Sequence, residues 1–170
     1  MTIIEEHKIA VQDLDNGAFL PYGEVIKARS GMQNQFASNP YDPETSTEEA
    51  QLVLCNGQPR LWIMHLYNRG FAFTKLARHK KVSQCLGALQ GKEWFIGVAP
   101  PQGEDERPSL KDVAVFRVPG DCVIKLHVST WHAGPHFAHD EALFFNLENM
   151  NTNKKDFESI ELATKCLMLA

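Results

Sequence analysis

Apolar residues along this chain come in short blocks rather than long runs. Leu61–Tyr67, Phe71–Leu76, Trp94–Ala99, Val113–Val118, Cys122–His127, Ala142–Leu147 and Phe157–Leu162 are each rich in Phe, Val, Ile, Leu or Trp. Turn chemistry separates them: Asn68-Arg69-Gly70, Gln90-Gly91-Lys92, Pro119-Gly120-Asp121 and the proline-bounded stretch 100–108. Short β-rich segments at about ten-residue spacing predict a sandwich or barrel rather than a βαβ sheet. Helix is expected only near Asp13–Phe19 and over Ser46–Val53, where Thr47 stands ahead of Glu48 and Glu49 as a cap. Gly31–Ser46 is polar and reads as a long surface loop, a lid being the alternative, and Glu148–Asp156 reads as an irregular polar connection.

Composition narrows the class. With 170 residues, 44% apolar and 22% charged, the chain suits one soluble domain spanning 1–170. Lys and Arg number 17 against 21 Asp and Glu, a formal charge of −4. That argues against nucleic acid or an anionic membrane as partner, since both call for a basic excess. No apolar run approaches the roughly 20 residues that span a bilayer. The N-terminus carries Glu5 and Glu6 where a signal peptide has a basic flank, so a cytoplasmic location is expected. Cys55, Cys85, Cys122 and Cys166 are scattered, which predicts buried or half-buried thiols rather than a disulfide framework or zinc site.

The histidines are placed unevenly: His127, His132, His136 and His139 crowd one stretch. Alternation from Cys122 to His127 puts Cys122, Ile124 and Leu126 on one strand face, and Val123, Lys125 and His127 on the other. The second face must meet water or a polar cavity, because burying an unpaired lysine costs several kcal/mol. The continuation Ser129-Thr130-Trp131-His132-Ala133-Gly134-Pro135-His136 is poor generic surface, and Ala133 and Gly134 would let a ligand approach the backbone. A second pattern, His79-(x4)-Gln84-(x6)-Gly91, brings its side chains together only if the chain bends between strands. Tyr22 and Gly23 read as packing and turn residues, and His139 as part of a solvated turn. Glu93 fits a third proton carrier or a strand-edge charge equally well.

These two patterns resemble the cupin motifs. More narrowly, Ala18–Ile26, Arg78-His79 with Ser83-Gln84, and His127-(x3)-Trp131-His132 resemble the ureidoglycolate lyase family. The chain departs from a metal-binding cupin at Ala77 and Gln84, where that pattern carries His and Glu. The resemblance implies an all-β fold, a cupin-like double-stranded β-helix (jelly-roll barrel) with one or two short helices. It implies a carbon–nitrogen lyase splitting ureidoglycolate, a small anionic ureido acid, into glyoxylate and urea, with an amidohydrolase as close alternative. On that reading His127 and His132 do acid/base work and Lys125 meets the carboxylate. His79, Gln84, Arg78, Trp131 and His136 would line the substrate. His79, Gln84 and His132 are also the candidate ligands of a divalent metal such as Ni or Mn. A homodimer is the expected assembly. Two other functions share the barrel: a metal-dependent oxygenase or isomerase, marked by three ligands with an open position, and a binding module, marked by histidines bonded away from any pocket.

Overall fold

The computed structural model describes residues 6–27 and 50–169. Its elements run β1 (Glu6–Asp13), α1 (Asn16–Phe19), β2 (Gly23–Lys27), β3 (Pro59–Tyr67), β4 (Ala72–His79), β5 (Gln84–Ala88), β6 (Gly91–Ala99), a 3-10 turn (Leu110–Asp112), β7 (Ala114–Gly120), β8 (Cys122–Leu126), β9 (Trp131–His136), β10 (Glu141–Asn149), α2 (Thr152–Lys155) and β11 (Phe157–Leu169). The fold is all-β, as the block spacing predicts; among the described residues there are two one-turn helices, α1 within the expected Asp13–Phe19 stretch and α2 inside the stretch read as irregular. The strands form a closed barrel in the order β1-β11-β4-β9-β6-β7 and a five-stranded sheet in the order β2-β8-β5-β10-β3.

Alternation along the strands divides the apolar residues between two cores. Phe73, Leu76, Phe95, Val115, Trp131 and Cys166 belong to one cluster. Trp94, Ile96, Phe116, Ile124, Leu126 and Phe144 belong to the other. Adjacent residues of β6 therefore serve different cores: Trp94 and Ile96 one, Phe95 the other.

Three local expectations change. Residues 50–53 are not helical. Instead Val53 is tied to Ser83 by a backbone bond of 3.0 Å and a Val53 N–H to Ser83 Oγ bond of 2.8 Å. The rest of Ser46–Val53, and Gly31–Ser46, lie outside the described residues. The polar 148–156 stretch is ordered and partly buried: Glu148, Asn149, Thr152 and Asp156 are all in the interior. Cys55 is exposed, whereas Cys85, Cys122 and Cys166 are buried. Burial pushes the Cys85 and Cys122 thiols up to about 11, so neither is a thiolate nucleophile near neutrality. Glu93 is exposed on its strand, and His139 is exposed in the turn before β10.

Candidate active site

A cavity of about 540 Å³ opens between β4, β9 and β11 of the barrel and β3, β5 and β10 of the sheet. His79, Gln84, His132 and His136 line it together with Trp62, Arg69, Asn146 and Glu148. His79 closes β4 and Gln84 opens β5, so the bend between the barrel and the sheet is what brings them to one space. His132, Gly134 and His136 all reach it from β9, whose ladder with β6 shifts register between Ala133 and His136.

Other candidates go elsewhere, for reasons of strand geometry. Arg78 and Trp131 precede His79 and His132 in the chain and so point to the opposite faces of β4 and β9. There the Arg78 guanidinium lies 4.4 Å from the Trp131 ring, donates to Glu158 at 2.8 Å and to the Glu104 carbonyl at 2.6 Å, and is sealed from solvent. Neither residue lines the cavity. Lys125 sits on the face of β8 opposite Ile124 and Leu126. Its ammonium donates to Glu24 Oε2 at 2.9 Å and to His127 Nδ1 at 3.2 Å. His127 Nε2–H in turn donates to the Leu20 carbonyl at 3.0 Å. This triad ties the β2 corner down and is not brought to the cavity. Tyr22 and Gly23 also serve packing: the Tyr22 ring lies tilted against Phe19 and edge-on to Phe116.

The hydrogen-bond partners of the lining histidines assign their tautomers. A carbonyl only accepts, so His132 donates from Nδ1–H to Thr130 O at 3.1 Å, and His136 from Nδ1–H to Gly70 O at 2.7 Å. The Thr152 hydroxyl gives its one proton to Asp156, so it accepts from His79 Nδ1–H at 3.0 Å. Each ring is left with Nε2 as an acceptor free of protein partners among the described residues. Rings 79 and 132 are 5.7 Å apart, centroid to centroid. Burial lowers the His132 pKa to about 4, with nearby His79 adding to the effect. Burial also lowers His79, but Glu148 and Asp156 oppose it. At neutral pH both rings are uncharged, and His79 is the better proton acceptor of the two.

The residues that pattern reading missed surround this pair. Glu148 is fully buried; its Oε1 accepts from Arg60 at 2.6 Å and Trp62 Nε1 at 3.1 Å, and its Oε2 from Gln84 Nε2 at 3.1 Å. That last bond fixes the amide of Gln84, because its nitrogen must face the carboxylate. Gln84 Oε1 is then a buried acceptor without a protein partner, as is Asn146 Oδ1. Arg69 supplies a cation at the cavity, held by a 3.2 Å bond to the Pro135 carbonyl. The only available signal was alternation: Asn146 and Glu148 occur two apart on β10, among apolar neighbours.

As a metal centre the donor set fits poorly. Glu148 has both oxygens engaged, which leaves the His79 and His132 imidazoles and the Gln84 amide oxygen as the candidate donors. Among the described residues no three His, Cys, Asp or Glu side chains are grouped to hold an ion.

Fold and site together define a β-barrel protein with a histidine-lined pocket in which several acceptors lack protein partners among the described residues. The profile of the ureidoglycolate lyase family matches residues 6–168, nearly the whole described span. The chain belongs to the ureidoglycolate lyase family, and so to a family of lyases. It is 30% identical over 131 residues to a ureidoglycolate lyase of Azotobacter vinelandii, covering 73% of this chain and 74% of that one. Among solved structures it is similar to RmlC from Streptococcus suis in complex with dTDP-D-xylose. There the identity is 9% and the TM-score 0.43, over 57% of this chain and 46% of RmlC, about half its length.

Proposed function

We propose that this chain cleaves ureidoglycolate to glyoxylate and urea, with His79 as the proton carrier. The observation that carries the reading is the pair of neutral imidazoles whose Nε2 atoms are acceptors open to one cavity, beside a buried, unpartnered Gln84 Oε1. These three acceptors complement a donor-rich ligand. The ureido group offers N–H donors and the substrate carbon bears a hydroxyl, while Arg69 is the cation for the carboxylate.

In this scheme His79 Nε2 takes the hydroxyl proton as the C=O bond forms. The C–N bond breaks with its electron pair going to the urea nitrogen, which receives the proton from the His79 imidazolium. Atoms balance without net proton uptake. Asp156 and Glu148 stabilise the transient cation; His132, which resists protonation, stays an acceptor for the ligand. No step runs through a metal, given the donor set.

The test supplies ureidoglycolate to purified protein, with and without Ni²⁺ or Mn²⁺, and follows urea and glyoxylate above spontaneous decay. Turnover is expected in both conditions and to fall at least about 100-fold in His79→Ala. No turnover in either condition overturns the reading. Turnover that requires added metal overturns the metal-free chemistry alone.

The homodimer is proposed as well. β3 is the outer strand of its sheet among the described residues, and it exposes Leu61, Ile63 and Tyr67 on one face. A second copy meeting this face about a two-fold axis would cover all three. Sedimentation at twice the 19.2 kDa chain mass supports this; a monomer overturns it.

A further inference from the structure

Resting on that reading of the pocket, we propose that Thr152 and Asp156 are positioning residues that hold His79 in the one tautomer able to accept a proton from substrate. The stretch from β10 to β11 is built to deliver them. Asn151 takes a left-handed conformation (φ 63°), and one helical turn, α2, places Thr152 and Asp156 four residues apart on its inner side. Phe157 then enters β11 directly opposite His79 in the ladder. The turn is thus anchored beside the ring it serves.

The direction of the hydrogen-bond chain follows from its far end. Asp156 Oδ2 accepts the Lys81 backbone N–H at 3.0 Å, and the Asp156 carbonyl accepts the Lys80 N–H at 3.0 Å. The carboxylate cannot turn away without giving up this part-buried bond from Lys81 N–H. Asp156 Oδ1 can only accept, so the Thr152 proton points to it and a Thr152 lone pair faces His79. Nδ1 must then carry a hydrogen, and Nε2 the lone pair. Thr152, Asp156 and His79 are all buried, so water does not compete for these bonds. A ring freed from this chain would populate the Nε2–H form, which cannot take the substrate proton.

Asp156→Asn makes a sharp test, because Lys81 N–H still demands an oxygen. The amide oxygen stays with Lys81 and the NH₂ turns toward Thr152, which reverses the chain: Thr152 now donates to Nδ1, and His79 carries its hydrogen on Nε2. Long-range ¹H–¹⁵N spectra of the full-length protein at neutral pH read this directly, whatever the substrate. The wild type is expected to show His79 as Nδ1–H and Asp156→Asn as Nε2–H. With ureidoglycolate, Asp156→Asn and Thr152→Val should each lower kcat about 100-fold with KM changed less than about threefold, and Thr152→Ser should restore kcat to within a few-fold. Thermal unfolding of each variant identifies those that fail to fold, and the conservative Thr152→Ser carries the comparison then. A wild-type Nε2–H tautomer, an unchanged tautomer in folded Asp156→Asn, or full kcat in Thr152→Val overturns the proposal. The spectra stand even if ureidoglycolate is not turned over, so the two readings fail separately.

Discussion

His79 and Gln84 show what residue-level pattern can and cannot carry. Their spacing placed both at one site once the chain bent between strands, and the structure bends there. The family resemblance also put Arg78 and Trp131 at that site, and here strand alternation decides against it: neighbours on a strand cannot share a face. Glu148, Thr152 and Asp156 were illegible because a polar stretch looks the same whether it faces water or a buried ring. At this scale Arg69 carries one prediction. It is exposed, and among the described residues its side chain bonds a carbonyl alone, so Arg69→Ala should leave the unfolding midpoint nearly unchanged. Losing the charged partner of a carboxylate should raise KM about tenfold or more. An unchanged KM would place the carboxylate elsewhere. His127→Ala is the matching control: its ring bonds Leu20 and Lys125 away from the cavity, so kcat should stay within about twofold. A collapse of kcat in folded His127→Ala would return this histidine to the chemistry.

Among the elements, the apolar blocks located seven strands, and four were missed. β5 and β9 carry Gly, Ala, Pro or His, which have weak strand preference; β5 is held by β8 and β10, and β9 by β4 and β6. Tertiary pairing overrides local propensity there. β1 is polar and pairs in parallel with both β11 and β7, contacts that no local pattern reports. β2 depends on a close approach instead. A Cβ on Gly23 would come 2.0 Å from the Lys125 carbonyl oxygen and 2.9 Å from the Phe19 ring. The obstacle is backbone of the paired strand, which cannot give way without opening the β2–β8 ladder. Gly23→Ala should therefore destabilise by at least roughly 1–3 kcal/mol, read as a lower urea midpoint. A midpoint equal to wild type would mean that β2 shifts freely on β8.

Over the whole molecule, the resolved histidine and carboxylate shifts push stability the same way with pH. Burial lowers His79, His132 and His136, so the native state binds fewer protons than the unfolded chain below the ordinary histidine value of 6.5. Stability from these groups is present above 6.5 and declines as pH falls, for His132 until about 4. Two carboxylates then add their share. Glu158 is raised by burial but held below the usual range on balance by hydrogen bonds from Arg78 and Arg107. The Ser109 hydroxyl and N–H lower Asp112. A group whose folded pKa is depressed loses its contribution as pH falls through that value, so Glu158 acts below its ordinary value of 4.5 and Asp112 below 3.8, at the lower end of the histidine window and beneath it. The expected result is a urea midpoint that starts to drop near pH 6.5 and falls steadily toward 4. His132→Phe, which cannot take a proton, should flatten the upper part of that curve even if it lowers the midpoint throughout. A wild-type midpoint that stays level from pH 7 to 5 would show that the pocket imidazoles accept protons in place. The neutral imidazole acceptors on which the proposed chemistry depends would then be lost.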